Sequence, residues 1–274
     1  MKLKKNLEQK LNGLISFLKD KKIIVAFSGG VDSSLLAFLS KKYGKEVLLV
    51  TERSILYLDE DIDEAAQFAK IYQIPHIIIE FDPLNDKNFK KNPINRCYIC
   101  KKGLYSEIIK IKEEKNFDII LDGSNLDDLS DFRPGMQALK ELNIFTPYIE
   151  SNISKAEIRS IAKYFKLKVH SKPSMACFAS RIPYNQLIDE RKLIMVREAE
   201  KFLKNTFNLV QLRVRIHNGD LARIELLKKD IPKILNEQSL EIITEKFKEL
   251  GFHYITIDIE GFRSGSMNIL IKKK

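Results

Sequence analysis

The stretch Ile23-Ile24-Val25-Ala26-Phe27-Ser28-Gly29-Gly30-Val31-Asp32-Ser33-Ser34 constrains this chain more than any other. Its leading apolar residues read as a strand buried on both faces, as in a parallel sheet. Two glycines follow at once, and Leu35 to Tyr43 then shows the apolar periodicity of a helix. A glycine-rich turn between strand and helix leaves backbone N–H groups bare at the helix N-terminus. The helix dipole adds partial positive charge there, so the turn is an anion site. Ser28, Ser33 and Ser34 add hydroxyl donors. Asp32 is an acid inside that anion site, a placement that makes sense beside a cation such as Mg²⁺. No Gly-Lys-Ser/Thr follows, so the turn is not a Walker loop.

A strand–helix alternation continues from this turn. Val47–Thr51, His76–Glu80, Asp118–Asp122 and Ile144–Tyr148 read as strands. Asp59–Tyr72, Lys101–Lys115 and a short Gly135–Leu142 segment read as helices. Ser154-Lys155-Ala156-Glu157 is a capping box opening a helix to Phe165. This order predicts an α/β fold with a doubly wound, mainly parallel sheet and ligands at the C-terminal strand ends, where Ser28, Thr51 and Gly123 fall. The pattern changes after about residue 180. A helix at Asp189–Asn205, strands at Gln211–His217, Ala222–Leu227 and Tyr254–Ile259, and a helix at Ser239–Leu250 capped by Gly251 predict a smaller α+β domain with an antiparallel sheet. The expected division is 1–180, including an amphipathic N-terminal helix, and 181–274.

The 274 residues suffice for a full core, and the 44% hydrophobic fraction is that of a soluble globular protein. No apolar run approaches a membrane span, and the lysine-rich start lacks a signal-peptide core, so a cytoplasmic protein is expected. Net charge is +10. That suits anionic ligands, from nucleotides to RNA. Much of the excess is lysine scattered over helix faces, which equally fits a solvated surface in an Ile-, Lys- and Asn-rich chain.

Three cysteines are present. Cys97-Tyr98-Ile99-Cys100 reads as a C-x-x-C in a loop before a helix, and Cys177 lies in a loop of small residues. The first spacing fits a dithiol redox pair, half a zinc site or two iron–sulfur ligands. Three thiolates without an obvious fourth ligand suit a 4Fe–4S cluster with one open iron. Zinc completed by a histidine such as His170, or three unrelated thiols, are the alternatives. A second polar segment runs Asp122-Gly123-Ser124-Asn125-Leu126-Asp127-Asp128 and on to Asp131. Gly123 permits close approach of a ligand, and Asn125, Asp127, Asp128 and Asp131 gather acidic and polar groups where Mg²⁺ would screen phosphates. Arg213 and Arg215 alternate on one strand face, so both could reach one anion. Glu225 is suited to pair with an arginine.

The first motif, Ser28–Ser34, resembles the pyrophosphate loop of the ATP pyrophosphatases, which cleave ATP to AMP and pyrophosphate. Further segments narrow the resemblance: Asn92–Lys101, Asp122–Gly135, Lys172–Tyr184 with its core Ala176-Cys177-Phe178-Ala179-Ser180-Arg181, Leu212-Arg213-Val214-Arg215, and Gly261–Asn268 with Arg263. Together they resemble the LarE family, the sulfur-insertion enzymes of nickel-pincer nucleotide cofactor synthesis. The resemblance implies adenylylation of a carboxylate of pyridinium-3,5-biscarboxylic acid mononucleotide, then replacement of AMP by sulfur to give a thiocarboxylate. It implies ATP and Mg²⁺ at Ser28, Gly29, Gly30, Asp32, Ser33, Ser34, Thr51, Gly123 and Asn125. Cys177, Asp32 and Asp128 would be catalytic. One branch of the family sacrifices a single cysteine, at the position of Cys177. The other holds a 4Fe–4S cluster on three thiolates, and the presence of Cys97, Cys100 and Cys177 resembles that branch, with the open iron carrying an extra sulfide. Arg213, Arg215 and Arg263, with Arg181, would hold the substrate phosphate, across a subunit boundary in a homo-oligomeric trimer or hexamer. A sulfide donor would reload the cluster. The runner-up reading is a tRNA thiolase of the same superfamily. An ammonia-using ligase, which would leave the cysteines idle, and a non-enzymatic nucleotide-binding module are the remaining readings.

Overall fold

The structure is a computed structural model that describes residues 3–129, 133–173, 176–263 and 265–270. Asp131 of the acidic segment, and Ser174, Met175 and Ser264 of the family-like segments, lie outside the described residues. In chain order the elements are α1 (Lys5–Leu18), β1 (Lys22–Ala26), α2 (Val31–Tyr43), β2 (Glu46–Arg53), α3 (Asp59–Ile71), β3 (His76–Glu80), α4 (Lys87–Lys90), α5 (Arg96–Glu114), β4 (Ile119–Leu121), α6 (Gly135–Glu141), α7 (Pro147–Glu150) and α8 (Lys155–Tyr164). Then come α9 (Glu190–Phe207), β5 (Leu212–His217), β6 (Leu221–Leu226), α10 (Glu237–Glu249) and β7 (Tyr254–Ile257). They form two compact units, Met1–Pro83 with Asn95–Met175, and Leu84–Ile94 with Ala176–Lys274. The chain thus gives the short 84–94 segment to the second unit and passes into it again near residue 176.

In the first unit a parallel sheet runs in the order β3-β2-β1-β4. Alternation along β1 explains the two layers of helices. Ile23 and Val25 join a core with Leu35, Leu36 and Leu39 of α2 and Ile158 and Ile161 of α8. Ile24 turns to the opposite face, with Tyr105 and Ile108 of α5 and Leu139 of α6. A strand apolar on both faces can be buried only in such a three-layer arrangement. The N-terminal helix forms as its leucine spacing predicts, with Leu7, Leu11, Leu14 and Leu18 buried. The Ser154 capping box also forms: its hydroxyl accepts from Glu157 N, and the Glu157 carboxylate accepts from Ser154 N.

Two expectations for this unit fail. Ile144–Tyr148 is not a strand. Only Phe145 bridges Leu121, because Pro147 starts α7 and has no N–H for a ladder. The C-x-x-C is not in a loop. Cys97 and Cys100 lie within the first turns of α5, whose hydrogen bonding begins with Asn95 O accepting from Tyr98 N at 2.9 Å. The stretch Arg96–Cys100 has no apolar period, so the sequence concealed the helix start.

In the second unit α9-β5-β6-α10-β7 has the expected order, but the sheet is mixed rather than antiparallel. β5 and β6 form an antiparallel hairpin, whereas β7 runs parallel to β6. The α10 crossover returns the chain in its original direction, and a parallel pair needs such a crossover. The 84–94 segment is tied in by Asn92, whose amide donates to Ile182 O at 3.2 Å and Pro183 O at 2.7 Å.

Candidate active site

The strand order reverses at β1. The chain steps from β1 to β2 to β3 on one side, then places β4 on the other. In an open parallel sheet that switch point is where the loops diverge and a ligand crevice opens. The two loops flanking it are Ser28–Ser34 after β1 and Asp122–Asp128 after β4.

The first loop is built for a phosphate chain. Gly29 adopts φ +68° and lies against Ala65, where a Cβ would come within 3.3 Å of the Ala65 Cβ. Its left-handed backbone favours glycine. Gly30 caps α2 without a side-chain hydrogen bond, so the first-turn N–H groups have no intrahelical acceptor. Ser28 and Ser33 hydroxyls lie 3.2 Å apart, and Ser33 Oγ also accepts from Ser28 N at 3.3 Å. Ser34 Oγ is buried without a hydrogen-bond partner.

Asp32 sits at the centre of this loop. Its Oδ2 is ion-paired with Lys155 Nζ. Its Oδ1 is buried with no hydrogen-bond partner. Burial raises the Asp32 carboxyl above its ordinary range, Lys155 opposes that, and the nearby charge of Asp128 adds to it. A buried carboxylate oxygen lacking a donor, beside bare N–H groups that attract phosphate, fits a hard divalent cation carried in with that phosphate.

The second loop is largely self-bonded. Asp128 Oδ2 accepts from Asn125 N at 2.9 Å, Asn125 Oδ1 accepts from Asp127 N at 3.1 Å, and Asp128 Oδ1 pairs with Arg133 at 2.9 Å. Gly123 serves a close approach, but that of α2. A Cβ there would lie 3.2 Å from both Asp32 Cβ and Ser33 N. Gly123→Ala is therefore expected to push the start of α2 aside, costing about 1–3 kcal/mol of stability by overpacking. Urea unfolding with and without ATP checks this. The midpoint should fall, and the added stability from ATP should shrink.

Asp122, before Gly123, links this loop to the cysteines. Burial favours its neutral form, but Lys101, Ser124 and Tyr105 outweigh that and hold its carboxyl at about 2. The Lys101 ion pair measures 2.8 Å. Lys101 lies one turn beyond Cys97 on α5, so the C-x-x-C helix is pinned to the loop that packs on Asp32. Cys97 is exposed and Cys100 half-buried. Residues three apart share a helix face, so their two sulfurs suit one thiophilic centre. Cys177 is half-buried and belongs to the second unit, ahead of the short turn Phe178–Arg181. Among the described residues no group of three or more His, Cys, Asp or Glu is gathered so as to hold a metal ion.

Thr51 is committed to structure: its hydroxyl donates to Phe27 O at 2.7 Å and meets His76 Nε2 at 2.7 Å. Next to it, Glu52 is pushed up to about 7 by burial, against a hydrogen bond from Ser54. Sequence reasoning passed over Glu52. It also passed over Lys155 and Lys172, two cations on this loop. Lys172 Nζ donates to Gly29 O at 3.2 Å and pairs with Glu64 at 2.7 Å. Arg159 holds its backbone by donating to His170 O and Lys172 O, each at 2.7 Å. The capping box placed Lys155 at a helix start, and Lys172 opens the family-like segment Lys172–Tyr184, but neither signal gave the lysine a role.

Of the second unit's arginines, Arg181 and Arg215 lie close enough to Arg213 for their charges to act on it, whereas Arg263 is held by carboxylates of its own. Arg181 makes a bidentate pair with Glu200 at 2.8 Å, and also donates to Ala176 O and Cys177 O. Arg215 donates to Ser180 O, Glu225 and Ser266 at 2.9–3.0 Å. Fully buried Glu225 also pairs with Arg223 at 3.0 Å, the kind of arginine pairing expected of it. Arg263 pairs with Asp258 and Glu260. Arg213 stacks on the Phe262 ring at 5.3 Å. Burial first, then the positive charges of Arg181 and Arg215, bring its guanidinium down to about 10. Glu200 and Glu225 already offset part of that repulsion, and a further anion would offset more.

Residues 22–96 match the family of queuosine biosynthesis protein QueC. An uncharacterized protein of Synechocystis sp. is 36% identical over 97% of this chain and 100% of its own length. The pyridinium-3,5-bisthiocarboxylic acid mononucleotide synthase of Lactiplantibacillus plantarum is 33% identical over 95% of this chain and 94% of its own. The tRNA-specific 2-thiouridylase MnmA of Desulforamulus reducens is 24% identical over 62% of this chain. No described helix is long and apolar enough to cross a membrane.

Proposed function

This chain belongs to the pyridinium-3,5-bisthiocarboxylic acid mononucleotide synthase (LarE) family and is an ATP-dependent sulfurtransferase, and on that premise we propose that it adenylylates a carboxylate of pyridinium-3,5-biscarboxylic acid mononucleotide and exchanges the AMP for sulfur. A carboxylate oxygen leaves badly. Its attack on the α-phosphorus breaks the bridging P–O bond, releases pyrophosphate and makes AMP the leaving group. Sulfide then adds to the acyl carbon and AMP departs. The bare N–H groups at the start of α2 and the Ser28 and Ser33 hydroxyls receive the charge developing on pyrophosphate. Asp32 holds Mg²⁺. Lys172 lies where it can meet the phosphate chain.

The chain fits the three-cysteine branch, in which Cys97, Cys100 and Cys177 would hold a 4Fe–4S cluster that supplies an exchangeable sulfide. A separate sulfide donor restores it. The observation that carries this reading is the Lys101–Asp122 pair, which ties the C-x-x-C helix to the loop packed on the phosphate turn. The test is turnover with ATP and the pyridinium dicarboxylate mononucleotide. AMP and pyrophosphate should form only when the carboxylate is present. ADP and phosphate would remove the adenylylation step.

Arg213 is proposed to attract the substrate phosphate, together with Arg181, Arg215 and Arg263, in a homo-oligomer of three or six chains. Arg213→Ala should raise the substrate KM about ten- to a hundredfold, the worth of one charge-assisted contact of roughly 1.5–3 kcal/mol. Iron content should not change. The similarity to MnmA supports one other reading, thiolation of tRNA. Purified protein that thiolates tRNA and ignores the pyridinium substrate would establish it.

A further inference from the structure

Lys155 reaches Asp32 at the centre of the phosphate turn, yet nothing in the motif calls for it. Its backbone is fixed. Lys155 N donates to Asp127 Oδ2 at 2.7 Å, and the preceding Ser154 caps the helix that Lys155 begins. Its head is held by Asp32 alone among the described residues. A chain of four methylenes carries Nζ to Asp32 Oδ2, and the side chain keeps 28% exposure. Asp32 therefore has one oxygen neutralised by the partly exposed Lys155 ammonium and the other buried with no partner. A carboxylate half-satisfied in this way is poised to exchange one cation for another. The incoming phosphates need the ammonium that Asp32 would then release.

We propose that Lys155 is a resident counter-cation. It occupies the divalent-cation side of Asp32 in the nucleotide-free protein, gives that place up when a metal–ATP complex enters, and turns its ammonium onto the phosphate oxygens. The inference rests on the reading of Asp32 as the Mg²⁺ ligand given above. It assigns Lys155 two opposite effects: it competes with a metal ion alone and helps a metal ion that arrives with nucleotide. A lysine with a merely structural role would have neither.

The test uses the full chain and Mn²⁺ as a spectroscopic stand-in, with free Mn²⁺ measured by electron paramagnetic resonance. Lys155→Met should bind Mn²⁺ without nucleotide at least tenfold more tightly than the unaltered protein. It should bind Mn²⁺–ATP about tenfold more weakly. Lys155→Arg, which keeps the cation, should restore both values toward those of the unaltered protein and guards against a folding artefact in the methionine variant. Unchanged or weaker Mn²⁺ binding by a folded Lys155→Met protein overturns the proposal. Asp32→Asn separates the two readings. If Asp32→Asn binds Mn²⁺–ATP normally, the Mg²⁺ role of Asp32 fails and the proposal falls with it. If Asp32→Asn loses that binding while Lys155→Met changes neither affinity, the proposal alone fails.

Discussion

Asp32→Ala is expected to lower AMP and pyrophosphate formation by about a hundred- to a thousandfold, the range seen when one preorganised charge-stabilising group is removed from an active site. The fold should survive. The carboxylate lies at the start of α2, and its removal also removes a buried oxygen that has no donor. Lys155, left behind, is partly exposed and can turn to water. Circular dichroism melts should therefore stay close to those of the unaltered protein while product formation nearly vanishes. An Asp32→Ala enzyme that still makes AMP at a normal rate would remove this carboxylate from the mechanism.

Loss of any one cysteine should be as severe for sulfur transfer and should spare the ATP loop. Anaerobically prepared protein should carry about four iron and four sulfide per chain. Cys97→Ala, Cys100→Ala and Cys177→Ala should each bleach the visible cluster band. Each variant should still bind ATP, because Asp32 is held by Lys155, and Ser28 and Ser33 hold each other. Stoichiometric zinc without sulfide after anaerobic reconstitution would overturn the cluster assignment and favour the zinc alternative.

The sheet was legible because its strands are short apolar runs separated by helical periods, and burial on both faces leaves little room for another reading. The phosphate turn was legible because glycine, serine and aspartate at those spacings have few other uses. Where the sequence misled, tertiary context decided. Arg96–Cys100 carries no apolar stripe, yet it is helical because Asn95 O begins the hydrogen-bond series there. Ile144–Tyr148 has strand composition, but Pro147 turns it into α7 after one bridge. β7 looks like any edge strand, and only α10 fixes its direction. Gly123 was read as clearance for a ligand, whereas its nearest neighbours are Asp32 and Ser33. Lys155 and Lys172 were hidden among the many surface lysines, since an ion pair across more than a hundred residues leaves no local pattern.

The placing of 84–94 in the second unit governs how this chain can be made. Asn92 emerges from the ribosome 90 residues before the Ile182 carbonyl that its amide will hold. At roughly 5–20 residues per second that is a wait of about 5–20 s. During that interval the buried Phe89 side chain has no finished core to enter. The first unit is itself interrupted, because β4 must slot beside β1 after the excursion. Neither unit is therefore one uninterrupted length of polypeptide. A cut after residue 180 would separate the later unit from Asn92 and Phe89, so the two halves of this enzyme are bound to mature as one translation product.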